Sequence, residues 1–256
     1  MKHIIKKIAK ITGLVCLFLL AAAYFAFSSM ITKQQQAGLS CTQIHITMAD
    51  SNTNRMVLPG EIQAFLQKNK LVSTGMKWSE INLYDLEQHL TAENGIKHCQ
   101  VYANINGNLF IELTQRSPLL RLETAKGGYY MDESGTLFPM TPQRTAYIPV
   151  VSGSIPLEDK VWLARLYDFG LYLQKNRFWN AQIEQLYVHA PHNIEIIQRI
   201  GHQTIMLGDL NQFEYKLQKL YSFYRTVSAS EGWDKYSYID IRYGDQIICR
   251  TSPPRL

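Results

Sequence analysis

Apolar residues run without a charge from Ile11 to Phe27, and Ser28, Ser29, Met30 and Ile31 extend the run to residues 11–31. As a helix, roughly 20 such residues reach about 30 Å, the thickness of bilayer hydrocarbon. Lys2, Lys6, Lys7 and Lys10 precede the run without an acid between them, and Lys33 closes it. The pattern predicts a cytoplasmic basic tail over 1–10, a single transmembrane helix over 11–31 and a chain that continues on the far side. A cleavable signal peptide would use Lys2–Lys10, Ile11–Leu20 and Ala21–Ala23 as its three regions. The run instead continues past the alanines through Tyr24, Phe25 and Phe27, and no clear A-x-A site precedes a polar start. The reading adopted is therefore an uncleaved anchor.

Residues 32–40 are polar and short, rich in glutamine, and read as a linker. Past them the period changes. Ile44 and Ile46 alternate with Gln43, His45 and Thr47, as on a half-buried strand. Pro59 opens a helix carrying Ile62, Phe65 and Leu66 at i, i+3 and i+4. Asn82 has the chemistry of an N-cap, with Asp85 three residues on and Leu83, Leu86 and Leu90 as the apolar stripe. Val101, Ala103 and Ile105 alternate, Asn106-Gly107-Asn108 supplies a turn, and Leu109, Ile111 and Leu113 alternate again. Strand, helix, helix, strand, strand describes a small α+β domain over 41–116, with two helices on one sheet face.

A second domain is predicted over 117–251, with a short tail at 252–256. Tyr129–Met131 and Thr136–Phe138 flank the turn Asp132-Glu133-Ser134-Gly135. Leu157 to Lys175 reads as a helix with Trp162, Leu166, Phe169 and Leu173 on one face. Ile183–His189, Asn193–Gln198 and Gln203–Leu207 read as strands, and Asn211 to Val227 as a helix carrying Phe213, Leu217, Leu220 and Tyr224. Ser237–Tyr243 and Gln246–Arg250 flank Gly244-Asp245, predicting a tight Gly-first hairpin of type II′. Ser252-Pro253-Pro254 ends any pairing. The whole is a mixed β domain with two helices.

Composition sharpens this picture. The 256 residues are 46% hydrophobic and 18% charged, which excludes a disordered chain. The net charge of +5 suggests nucleic acid, but the four lysines of the tail account for most of it, so it reads as topology. Of the four cysteines, Cys16 lies in the span, and Cys41, Cys99 and Cys249 form no closed set of disulfides. A Cys41–Cys99 bridge and buried free thiols both fit the exported compartment.

Catalytic motifs are missing. Val151-Ser152-Gly153-Ser154 lacks the flanking glycine of a nucleophile elbow, and no phosphate-binding glycine loop occurs. Pro191 separates His189 from His192, and His98 and Cys99 point to opposite faces of a strand. Asp132 and Glu133 read as turn formers. No cofactor or metal is expected, and the chain reads as a non-enzyme. The remaining signal is an edge. Gln246–Arg250 is late and short, with Ile247 and Ile248 adjacent, and strand addition by a partner would satisfy it.

These strings together resemble the FtsQ/DivIB family of bacterial cell-division proteins. The resemblance covers nearly the whole chain: basic tail, single span, POTRA-type domain and β domain. It rests on Ile111-Glu112-Leu113-x-x-Arg116-x-Pro118, on Tyr130-Met131-Asp132-x-x-Gly135-x-x-Phe138 with Ile148-Pro149-Val150-x-Ser152-Gly153, and on Ile239-Asp240-Ile241-Arg242-Tyr243. Two features depart from the family: Met48–Asn52 extends the loop after the first strand, and the last strand lacks an aromatic found in some relatives. The resemblance implies a non-enzymatic divisome scaffold of the inner membrane and septum, with its C-terminal domains periplasmic. It implies binding to FtsB- and FtsL-like coiled-coil proteins and control of septal peptidoglycan synthesis. Carried onto this sequence, the partner site is Arg242 and Tyr243 with Gln246, Ile247, Ile248, Cys249 and Arg250 as the edge, and Arg242 is expected to meet a partner carboxylate. The alternative is a POTRA-containing envelope assembly or secretion factor, which would normally repeat that domain or add a barrel.

Overall fold

The structure, a computed structural model, describes residues 17–25, 40–50, 55–140 and 146–252. The predicted basic tail, most of the predicted span and linker, and residues 253–256 lie outside them. Residues 17–25 are helical and exposed. No helix among the described residues is long and apolar enough to cross a membrane. The chain divides into two compact units, Met1–Gln115 and Arg116–Leu256.

In the first unit, β1 (Gln43–Met48), α1 (Pro59–Lys68), α2 (Leu83–Thr91), β2 (Ile96–Ala103) and β3 (Asn108–Gln115) follow in that order. The sheet order is β1-β3-β2, with β1 parallel to β3 and β2 antiparallel to it. Pro59 sits in the first turn of α1, and the Glu61 carboxylate accepts from the Leu58 N–H at 2.8 Å. Asn82 caps α2, its Oδ1 accepting from the Tyr84 and Asp85 N–H groups. Ile62, Leu66, Leu86 and Leu90 of the helices are buried, as are Ile96, Cys99, Leu109, Ile111 and Leu113 of the strands. Ile105 does not join β2: it lies in the turn and is 91% exposed. The Asn104 side chain accepts from the N–H groups of Asn106 and Asn108, both at 3.0 Å, so the turn begins two residues earlier than the alternation suggests. Cys41 and Cys99 are buried free thiols.

The second unit holds one nine-stranded sheet among the described residues, in the order β12-β11-β10-β9-β8-β7-β4-β5-β6. Its strands are β4 (Pro118–Thr124), β5 (Gly127–Asp132), β6 (Leu137–Pro139), β7 (Val150–Gly153), β8 (Ile183–Ala190), β9 (Asn193–Gln198), β10 (Thr204–Gly208), β11 (Tyr236–Asp240) and β12 (Ile248–Thr251). Helix α3 (Lys160–Lys175) links β7 to its parallel neighbour β8 by way of α4 (Arg177–Gln182). Helix α5 (Phe213–Phe223) links β10 to its parallel neighbour β11, through a π-helical turn at Tyr224–Ser228. The sequence pattern does not foresee β4, which it marks only as a domain start, nor β7 or α4. The α3 helix starts at Lys160 because Asp159 caps it, its Oδ1 accepting from Val161 and Trp162 at 3.0 Å. Asn176 likewise caps α4 through the Trp179 N–H.

One core unites Leu166, Phe169, Phe213 and Leu217 of the helices with Leu120, Leu122, Val151, Leu186, Val188, Ile194, Ile196, Ile205 and Ile239 of the strands. Phe169 and Phe213 meet edge to face at 5.1 Å between centroids. The alternate residues Arg121, Ser152, Gln185 and Glu195 point to the other face by strand periodicity. At the start of the unit, Arg116 Nη1 donates to Asp132 Oδ2 at 2.6 Å. Asp132 Oδ1 accepts from Ser134 and Thr136 N–H, which closes the β5–β6 turn.

Candidate functional site

The nine-stranded sheet ends in two strands of unequal character. β6 has three residues and terminates at Pro139, which cannot donate to a ladder. β12 has four residues and no proline. It pairs antiparallel with β11, Tyr236 facing Thr251, Tyr238 facing Arg250, Ile239 facing Cys249 and Asp240 facing Ile248. The Ser252 N–H donates inward to the Lys235 carbonyl at 2.8 Å. By antiparallel alternation the N–H groups of Cys249 and Thr251 turn away from β11, toward the outside of the sheet.

Between β11 and β12 the chain does not form the tight hairpin expected at Gly244-Asp245. The strands stop at Asp240 and resume at Ile248, and residues 241–247 form a longer loop. Gly244 does not take the positive φ that a type II′ turn requires. Tertiary contacts explain this. The Ile241 N–H donates to the Met206 carbonyl on β10 at 3.0 Å, and Ile241 is fully buried. Carbonyls of the loop turn toward Lys219 on α5 rather than across a hairpin.

Arg242 is placed from three sides. Its Nε donates to Asp240 Oδ1 at 2.9 Å and its Nη2 to Asp240 Oδ2 at 2.6 Å, a fork-on-carboxylate geometry. Its backbone N–H donates to the same carboxylate at 3.1 Å. Its stem lies over Gly208, where a Cβ would stand 2.8 Å from Arg242 Cγ; Gly208 also has φ +77°, so the site requires glycine. The guanidinium is 5.8 Å from the centre of the Tyr243 ring. Within the chain, the carboxylate that Arg242 meets is its own Asp240. Asp240 is only 3% exposed, and its carboxylate also accepts from the Tyr238 hydroxyl at 3.3 Å.

The other predicted residues divide between two faces. Ile247 and Cys249 are half-buried and pack on the core. Ile248 and Tyr243 are exposed, at 42% and 45%. The Arg250 guanidinium lies 4.7 Å from the centre of the Tyr238 ring. Gln246 contributes a carbonyl to Lys219 at 3.1 Å. Sequence reasoning missed Lys219 and Gly208, whose partners are far along the chain. Asp240 had a visible signal, since its i, i+2 spacing puts it beside Arg242 on one face of the strand predicted over Ser237–Tyr243.

Charge follows this geometry. Burial by itself raises the Asp240 carboxyl pKa, but the Arg242 side chain and N–H hold it below the ordinary carboxylate value. Arg242 is pushed up by the same pair. Burial and the nearby Asp240 charge raise Tyr238. Burial lowers the Lys219 pKa and raises that of Cys249. Among the described residues, no group of three His, Cys, Asp or Glu side chains converges as a metal site. The arrangement offers backbone donors, one arginine held in a set pose and two exposed tyrosine or isoleucine anchors, which is the chemistry of a docking edge.

Two family models match the chain: "FtsQ/DivIB, C-terminal related" over residues 117–250 and "POTRA-like domain" over residues 39–114. A comparison with curated proteins gives no match.

Proposed function

This chain belongs to the FtsQ/DivIB family of cell-division proteins, and from that premise we propose that it is a divisome scaffold which binds FtsB- and FtsL-like coiled-coil proteins by strand addition at β12. The observation that carries this reading is the position of β12 at the end of the nine-stranded sheet, beside the loop that presents Arg242 and Tyr243. A partner strand laid on the outer edge would take the amides of Cys249 and Thr251 for affinity. Ile248, Arg250 and Tyr243 would select its side chains. Arg242, already neutralised on one side by Asp240, would offer its remaining N–H groups to a partner acceptor.

The membrane side of the proposal rests on the sequence: residues 11–31 form a single span, the tail 1–10 stays in the cytoplasm and both folded units lie in the periplasm at the septum. The protein acts by holding partners together, and through them it governs septal peptidoglycan synthesis without chemistry of its own.

Thr251→Pro tests the docking edge. It removes an outward N–H while leaving the inward bonds of Ser252 and Arg250 to β11. In pulldown with an FtsB-like segment, the variant should lose the partner while the wild type retains it. Equal capture by both proteins overturns the reading. A fluorescent fusion of the full chain should concentrate at mid-cell in dividing cells, and a uniform envelope signal would count against the septal role.

A further inference from the structure

The loop that carries Arg242 and Tyr243 has no ladder of its own, yet three of its carbonyls converge on one atom. Lys219 Nζ donates to the carbonyl of Tyr243, to that of Gln246 at 3.1 Å and to that of Ile241 at 3.4 Å. An ammonium has three N–H donors and no acceptor, so these three carbonyls use its full capacity. The aromatic ring of Tyr215 lies 5.7 Å from the same nitrogen. Lys216, one turn earlier on α5, does something different: its Nζ donates to Asp209 Oδ1 at 2.7 Å and to the Asp209 carbonyl at 2.9 Å, holding the entry to its own helix. Lys219 alone of these two reaches across to the β11–β12 loop.

A carboxylate partner is the ordinary fate of a half-buried lysine. Lys219 has backbone carbonyls instead; burial and the neighbouring Lys216 lower its pKa, and the Asp245 and Asp240 charges offset this only in part. Such a tie does little for a surface loop by itself, because water can solvate carbonyls equally well. Its effect is on shape. A loop held in one conformation loses less freedom when a partner orders it, and binding is tighter by that difference.

We propose that Lys219 is a positioning residue of the partner site: its ammonium fastens the 241–247 loop so that Arg242 and Tyr243 stand in their docking pose before the partner strand arrives. This rests on the strand-addition reading of β12. Lys219 does not touch the partner; it acts through the loop.

The test titrates the full chain against a fluorescently labelled FtsB-like segment. Lys219→Met keeps the aliphatic stem and removes the donors, so affinity should fall about tenfold with the thermal midpoint unchanged. Lys219→Arg restores donors and should recover binding to within about threefold of wild type, the scale of a few tenths to one kcal/mol. If Thr251→Pro abolishes binding but Lys219→Met binds like wild type, the Lys219 inference fails alone. If the wild type does not bind, or Thr251→Pro binds normally, the strand-addition reading fails and takes this inference with it. A second readout does not depend on any variant folding. In the wild type, the Lys219 Nζ proton–nitrogen correlation should exchange slowly with water, unlike that of the exposed Lys126, and shift when the segment is added. An Nζ signal that exchanges as fast as that of Lys126 overturns the proposal.

Discussion

Asp240 and Arg242 show how one side chain serves both fold and surface. The carboxylate is buried and accepts from the guanidinium and backbone N–H of a residue two positions away. Replacing Arg242 by Glu therefore removes two things: a group offered to the partner, and the only cation facing Asp240 from the loop. The variant should lose partner binding and also destabilise the second unit by about 1–3 kcal/mol, because a buried carboxylate loses its charged donor and keeps only the N–H of residue 242 and the Tyr238 hydroxyl. Tyr243→Ala separates the effects, because that ring is exposed. Binding should weaken by about 2 kcal/mol in a titration, while the unfolding midpoint in urea stays at the wild-type value. Acid carries a related signature. For Asp132, burial raises the pKa, but hydrogen bonds from Ser134, Arg116 and Thr136 hold it lower than an ordinary carboxylate, and Asp240 behaves alike. A carboxyl whose folded pKa is depressed binds fewer protons in the native state. Its contribution is full above the unfolded value and is lost as pH falls through the folded one. Urea midpoints should fall as pH drops below the ordinary carboxylate range, and Asp132→Asn should differ from wild type more at pH 7 than in acid.

At the scale of elements, the sheet depends on close backbone approaches as much as on apolar contacts. At the end of β7, Gly153 has φ +91°, and a Cβ there would stand 2.4 Å from the Val188 carbonyl oxygen on β8. No flexible side-chain tip is available to move aside. Gly153→Ala should cost at least about 2 kcal/mol, by left-handed strain and displacement of a central strand pair, measurable as a lowered thermal midpoint. The same element-level reasoning separates the two ends of the sheet. Pro139 closes β6 to further pairing, whereas β12 presents outward amides with no proline until residue 253. In the first unit the edge strand β2 is handled differently: the Glu87 carboxylate on α2 accepts from the Val101 N–H at 3.2 Å. A charged side chain on an edge amide discourages another strand from pairing there.

For the whole molecule, much of the fold was legible because its local signals agree. Asn82, Pro59 and the apolar stripes of α1 and α2 act within a few residues, and each appears where its spacing places it. The helix faces of Trp162, Leu166, Phe169 and Leu173 and of Phe213, Leu217 and Leu220 were readable for the same reason. The short helix α4 was not, since six residues with a single buried Trp179 leave no periodicity to read. The candidate site was legible in part. Its strings pointed to β11, the loop and β12, but Gly244-Asp245 suggested a tight turn that the protein does not make. Ile241 is drawn to β10 and the loop carbonyls to Lys219, and neither partner is near in sequence. By itself, the sequence determined most of the longer strands and helices, where their apolar faces lie and which family the chain resembles, because these follow from interactions along a few turns of chain. Only the tertiary structure decided that β12 ends a nine-stranded sheet, that Arg242 is held by Asp240 over Gly208, and that one lysine gathers the loop. These depend on which distant groups share a small volume, and spacing along the chain does not encode that.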